Sequence, residues 1–436
     1  MIMDLFFTVS PILRILLVFF LILLAGRMRV PLGITLVCGG IAIDWWSGKS
    51  LPGIGADFML SLTRPELWLL IINITLILEF GYFMACESNS RAILSAARRL
   101  GGRHGRALSL VLIPAAIGLV PMPGGALFSA PLVGDAVLEK KVLPEWKVAV
   151  NYWFRHIFEY WWPLYPVVIV SLSIFSLKTW QFFVLQIPFT FVSLIAGWVV
   201  LIRPHVKMLA DEIPPDREQN DRLPLVLFPI FLVVFCTLLL PGVIKHGLPE
   251  ANPTTVKLLA MFIGLVASLG IIWLVSRRDR EFRLFQNLMS EKTATVVFTI
   301  GGVMIFQAML DASGLLPLAG KQLSDSMVPI EIVIAFLPFL AGLVTGIAIG
   351  FAGTAFPLVV GLIASDPDLS QASVLVLAFS MGYAGMMLSP VHLCYILTRR
   401  YFICGLLPSY IHIAPCVLAV ALWGVIMHIL LRLGGW

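Results

Sequence analysis

Apolar runs recur along almost the whole chain, at about residues 8 to 26, 30 to 45, 67 to 86, 107 to 138, 148 to 176, 179 to 202, 223 to 243, 256 to 276, 293 to 311, 330 to 364, 372 to 396 and 404 to 432. Most approach the roughly 20 residues that a helix needs to cross the hydrocarbon of a bilayer. Polar positions collect in the connections between them. The pattern predicts an all-α polytopic membrane protein. Segments 107–138 and 330–364 differ from the others, because glycine and proline interrupt them near the middle. The first contains Pro121-Met122-Pro123-Gly124-Gly125, and the second contains Gly342, Gly346, Gly350 and Gly353. The arms that remain, about 13 to 17 residues each, suit re-entrant hairpins better than full spans. Backbone broken at membrane depth is tolerated only where it is buried in protein or lines a cavity.

The two interruptions resemble each other. Gly342-Leu343-Val344 follows Gly118-Leu119-Val120 by 224 positions, and Pro357-Leu358-Val359 follows Pro131-Leu132-Val133 by 226. Pro390 follows Pro163 by 227, and each lies in the segment after its hairpin. Three landmarks at a nearly constant offset predict two repeats, 1–202 and 223–436, joined by a polar linker at 203–222 that contains Pro214-Pro215.

Basic residues fix the expected orientation. With both hairpins returning to the side they entered from, about 21 of the 30 Lys and Arg residues fall on the cytoplasmic side, as the positive-inside rule requires. A first segment that crossed the membrane would put the basic runs 91–106 and 139–147 on opposite sides. Ten spanning helices and two hairpins follow, with the repeats inverted and both termini outside. The arginines nearest the N-terminal apolar run, Arg27 and Arg29, come after it, the reverse of a signal peptide, so a retained first helix is expected.

Composition agrees: 59% of residues are hydrophobic, 12% are charged, and the mean hydropathy is +0.97. Little soluble surface remains for a nucleic-acid-binding patch despite the net charge of +6. The six cysteines contain no Cys-x-x-Cys pair, so neither disulfides nor a metal site is expected. No phosphate-binding loop or nucleophile elbow occurs, which argues against an ATP-driven pump or a hydrolase. The stretch 91–106 reads as an interfacial amphipathic helix.

Paired breaks at corresponding places are where secondary transporters bind substrate. Helix arms beginning after each tip present free amides and the positive end of the helix dipole, which favours an anion. Candidate substrate contacts are therefore Pro123, Gly124, Gly125 and Ser129 in the first hairpin, and Gly350, Gly353 and Thr354 in the second. The string from Asn151 to Pro166 adds Arg155 and Glu159, four apart as on one helical face, with Pro163 and Pro166 expected to break the helix just beyond. A charge inside hydrocarbon must pair or face a wet cavity. Arg155 either meets the anion or forms an internal salt bridge with Glu159, which otherwise carries a coupling proton. In the second half Ser389 is a further substrate contact. Ion-coupling candidates beside Glu159 are Glu79 and His392, an imidazole that titrates near neutrality.

The strings Pro121 to Pro131, Arg155 to Pro166 and Leu388 to Cys394 resemble those of the DUF401 membrane proteins, placed in the ion transporter superfamily with citrate, gluconate, dicarboxylate and arsenite carriers. The resemblance implies inverted repeats with two hairpins, a homodimer, and elevator-type transport of anions driven by sodium or protons. The Ser-Asn-Thr hairpin motifs of the dicarboxylate carriers are absent. The expected function is a secondary transporter of a small anion in the inner membrane, without a cofactor other than H+ or Na+. Its partners are that substrate and the bilayer. A channel or ion exchanger, or an enzyme acting on a lipid-linked substrate, are the alternatives.

Overall fold

The computed structural model describes residues 9–435 except 87, 90, 93–95, 97–104, 120–124, 139, 210–222, 277–284, 286–289, 326–327, 364–365 and 367. All regular structure among the described residues is helical, in eighteen α-helices with a π-helical turn (Trp198–Ile202) and a 3-10 turn (Arg203–His205). In the first half these are α1 (Pro11–Arg27), α2 (Leu32–Trp46), α3 (Leu51–Thr63), α4 (Pro65–Ala85), α5 (Arg106–Gly118), α6 (Ala126–Ala136), α7 (Pro144–Arg155), α8 (Pro166–Ile174) and α9 (Thr179–Gly197). The second half holds α10 (Leu223–Gly247), α11 (Pro253–Ser276), α12 (Glu291–Ala312), α13 (Leu315–Ser324), α14 (Ile330–Thr345), α15 (Ala348–Gly361), α16 (Gln371–Met387), α17 (Leu393–Tyr401) and α18 (Leu406–Leu433). By length and composition, six described helices can cross a membrane: α4, α9 with its continuation to His205, α10, α11, α12 and α18.

The molecule is apolar outside and polar in places within, as a multi-pass membrane protein must be. Phe228, Phe231 and Phe235 of α10 are exposed along one face, and Leu407, Ile411, Leu418 and Leu422 of α18 along another. Apolar faces of that extent fit lipid rather than water. In contrast Asn73, Glu79, Asn151, Arg155, His156, Glu159 and His392 are buried. The helices α7 and α16 are buried along nearly their whole length and form the centre.

Elements of the two halves interlock around that centre. On α2, Gly33 lies so close to α12 that a Cβ would collide with the Phe298 carbonyl, and Gly302 meets the Gly33 backbone in return. Small residues at such crossings let helices approach where no hydrophobic effect drives them together. Likewise α4 packs on α11, where Asn73 Nδ2 donates to the Leu258 carbonyl at 2.8 Å. The nine-residue α8 is held at its C-terminal end by Lys257 of α11, whose ammonium donates to the carbonyls of Leu172 (2.9 Å) and Leu177 (3.0 Å). A buried cation there satisfies orphan carbonyls and complements the helix dipole.

The interruptions fall where the pattern places them: 107–138 divides into α5 and α6, 330–364 into α14 and α15, and within each pair the helices pack on one another. The short helices α3 and α13 are additions to the expected set. In α3, Gly53, Gly55 and Asp57 dilute the apolar run below a recognisable span, and Lys49 ties its entrance by bridging Asp57 and the buried Asp44 (3.0 Å). Most of the expected amphipathic stretch 91–106 and positions 210–222 of the linker lie outside the described residues.

Candidate functional site

Two helices of the centre are discontinuous. Ten residues separate α7 from α8, and five separate α16 from α17. Pro163 lacks an N–H and cannot continue a helix, Pro166 opens α8, and Pro390 acts as Pro163 does in the second gap. Unwinding begins earlier than the prolines alone suggest, because α7 already ends at Arg155. Arg155 and Glu159 therefore do not share a helical face, as their spacing in the sequence implied.

Each hairpin docks on the broken helix of its own half in the same way. At Gly118 a Cβ would collide with the Arg155 carbonyl, and at Gly342 with the Gly382 carbonyl. The carbonyl one residue on is capped in both places: Trp162 Nε1 donates to Leu119 at 3.0 Å, and Ser389 Oγ to Leu343 at 2.7 Å. The Tyr165 hydroxyl also donates to the Gly118 carbonyl. Across the halves, Tyr152 donates to the Met387 carbonyl and Tyr383 to the His156 carbonyl, both at 3.2 Å. These donors satisfy helix-end carbonyls that no water could reach in a bilayer.

Polar chemistry collects between the breaks. The Arg155 guanidinium occupies the space where a Cβ on Gly125 would stand, beside the first turn of α6. Asn151 Nδ2 donates to Thr398 Oγ1 (3.0 Å) and to the Ala126 carbonyl (3.4 Å), joining α7 to α17 and to that same turn. His156 Nδ1 lies 2.6 Å from the Tyr152 carbonyl, an acceptor, so Nδ1 carries the proton. Its Nε2 then faces Glu159 Oε1 at 3.8 Å with a lone pair. His392, the N-cap of α17, sets its ring at 85° to that of His156, with centroids 4.9 Å apart. The ligand atoms of His156, His392 and Cys394 lie within 4.8 Å of one another. An open apolar cleft of about 540 Å³ runs beside the second break, lined by Leu343, Val344, Pro390 and Val391 together with Phe20 and Arg27 of α1.

Of the residues expected from the sequence, the structure gathers Gly125, Arg155, Glu159, Ser389 and His392 at the breaks. The Ser389 hydroxyl is engaged in capping Leu343. Ser129 is buried, with its hydroxyl on the Ala126 carbonyl at 3.4 Å. Gly353 faces Val303 of α12 and Gly350 faces Thr345, while the Thr354 hydroxyl returns to the Gly350 carbonyl at 2.7 Å. These three make packing contacts of α15. Glu79 accepts from the Phe285 amide at 3.2 Å. Pro123 and Gly124 lie outside the described residues. Sequence reasoning missed His156 and Cys394 as neighbours of His392, and with them a cluster whose side chains could hold a metal ion. The His392-x-Cys394 spacing was the available signal, hidden because its third member is 236 positions away.

The family described as "Protein of unknown function (DUF401)" matches residues 12–430. No curated protein matches the chain in sequence. Among solved structures, the crystal structure of the Alcanivorax borkumensis YdaH transporter, described as having an unusual topology, is similar with a TM-score of 0.58. The alignment covers 87% of each chain at 14% identity, so the likeness is one of fold.

Proposed function

The chain belongs to the DUF401 family, and we propose that it is a secondary active transporter of a small anion, an organic acid or an inorganic oxyanion. The observation that carries this reading is the Arg155 guanidinium lodged against Gly125 at the start of α6. A buried cation beside helix-start amides favours negative charge in a medium where charge interactions are little screened. Paired broken helices and hairpins at the centre of a transporter-like fold support binding there. On this reading the halves are inverted repeats of the ion transporter type, working as a homodimer by an elevator movement in the inner membrane, with both termini outside.

Proton coupling is favoured over sodium by Glu159. Its Oε1 and the lone pair of His156 Nε2 face each other at 3.8 Å. Two acceptors so placed are stabilised when a proton sits between them.

The test uses proteoliposomes offered succinate, citrate, phosphate and sulfate under imposed proton or sodium gradients. Uptake of at least one anion should follow the proton gradient, and flux indifferent to both gradients would favour a channel. Glu159→Gln keeps size but cannot titrate. It should lose gradient-driven uptake while the anion still raises the thermal stability of the purified protein. If Arg155 and Glu159 are only a salt bridge, removing one strands the other at about 3–5 kcal/mol, and the double change Arg155→Gln with Glu159→Gln restores stability and uptake together. That rescue would overturn the proposal.

A further inference from the structure

We propose that His156, His392 and Cys394 form a binding site for one transition-metal ion of borderline or soft character, Zn2+ or Cu+, that joins the two breaks. His156 and His392 are buried and Cys394 is partly buried, and their ligand atoms lie within 4.8 Å of one another. A tetrahedral zinc site has donor separations of about 3.3–3.6 Å, so small side-chain rotations bring the three onto one ion. The outer contacts already suit a metal. His156 Nδ1 donates to the Tyr152 carbonyl, which fixes the tautomer and leaves Nε2 as the ligand atom. His392 Nδ1 is buried with no hydrogen-bond partner. Glu159 Oε1, 3.8 Å from His156 Nε2, stands close enough for the fourth position, where the ion would replace the proton that these two atoms share in the metal-free protein.

The donor set determines the class of ion. Two imidazoles and a thiolate select Zn2+ or Cu+ and discriminate against Mg2+ and Ca2+, which prefer oxygen. Binding replaces the thiol proton of Cys394 by the metal and releases that proton to solvent. Together with the Glu159 carboxylate, the thiolate offsets the charge that the ion and the neighbouring Arg155 bring together. Because His156 belongs to the first break, and His392 to the second with Cys394 just beyond it on α17, the ion would tie the halves of the chain at their centre.

The site is tested in purified, detergent-solubilised protein with Co2+ as the spectroscopic probe and no anion present, so the result is independent of the transport reading. Co2+ should give a thiolate charge-transfer band in the near ultraviolet and intense tetrahedral d–d bands in the visible. Zn2+ should displace both, and Mg2+ neither. Cys394→Ser should abolish the charge-transfer band, and His156→Ala or His392→Ala should weaken Co2+ binding by at least about tenfold. A chain with the other five cysteines replaced by serine must keep the band, which guards against misfolding of Cys394→Ser. Absence of the band in the unmodified protein, its loss in that five-serine chain, or its persistence in Cys394→Ser would overturn the proposal.

Discussion

The two breaks are built on one plan and carry different chemistry. With the hairpin landmarks 224 positions apart and those of the broken helices 227 apart, Gly118 against Arg155 corresponds to Gly342 against Gly382. The indole of Trp162 on Leu119 corresponds to the hydroxyl of Ser389 on Leu343. The docking contact recurs although the residues making it have changed, which marks it as scaffold. What differs is what the positions bear. Where the first half has Arg155 and Glu159, the second has Gly382 and Met386. The first gap is ten residues long, aromatic and buried, and the second is five residues long and borders an open apolar cleft. Charge is thus concentrated on one member of a matched pair, and the other supplies an opening.

The sharpest way to separate site from scaffold is to place the same methyl group at two glycines. Gly125 has φ −56°, so alanine there is free of backbone strain, but its Cβ would collide with the movable end of Arg155. Gly125→Ala should therefore displace the guanidinium and weaken anion binding about 10- to 100-fold, the worth of a charge-assisted hydrogen bond of about 1.5–3 kcal/mol, with little change in unfolding temperature. Gly353→Ala presses on Val303, a stiff branched side chain in a packed crossing. It should cost about 1–3 kcal/mol of stability through overpacking and leave the affinity of the folded protein unchanged. Ligand-dependent thermal unfolding measures both quantities. A Gly353→Ala protein that folds normally and fails to bind would return that glycine to the site.

The all-helical character of the apolar runs and the division of 107–138 and 330–364 into two helices each were legible in the sequence, because hydropathy and Gly/Pro punctuation are local signals. Arg155 and Glu159 were legible as charges out of place in hydrocarbon. Their relation was not, since the end of α7 at Arg155 is set by tertiary capping from Tyr383 as much as by the prolines downstream. Gly353 shows the converse limit. A glycine that faces a guanidinium, as Gly125 does, and one that faces Val303 look the same along the chain, and only the neighbouring side chain tells them apart. The association of His156 with His392 and Cys394 depends on two distant breaks meeting, which no window of sequence contains.

A smaller effect tests whether the shared docking contact is energetically shared. Trp162→Phe removes the donor to Leu119, and Ser389→Ala the donor to Leu343. Each strands a partly buried carbonyl at about 1 kcal/mol, and the two losses in thermal stability in detergent should be alike. A loss confined to Trp162→Phe would show that the second hairpin is held by its close backbone contacts alone, and the correspondence would then be geometric only.

The smallest expected effect concerns the tyrosines that cross between the halves. Tyr152 lies four residues before His156, and Tyr383 four residues before Met387, yet each hydroxyl caps the other helix's end and not its own. Tyr152→Phe or Tyr383→Phe keeps the ring and removes one hydrogen bond, so each alone should cost about 0.5–1.5 kcal/mol. The pair is more informative than either. With one bond in place, α7 and α16 keep their relative position and the freed carbonyl stays close to its ring. Without both, the ends are free to shift, and the double variant should lose more than the sum of the single losses by about 0.5 kcal/mol or more, the scale of coupling between residues that share partners. Additive losses in the thermal-unfolding cycle would mean that the two caps act locally. The register between the breaks would then rest on the aromatic contacts beneath them, among which Tyr160 and Tyr383 have ring centroids 4.3 Å apart.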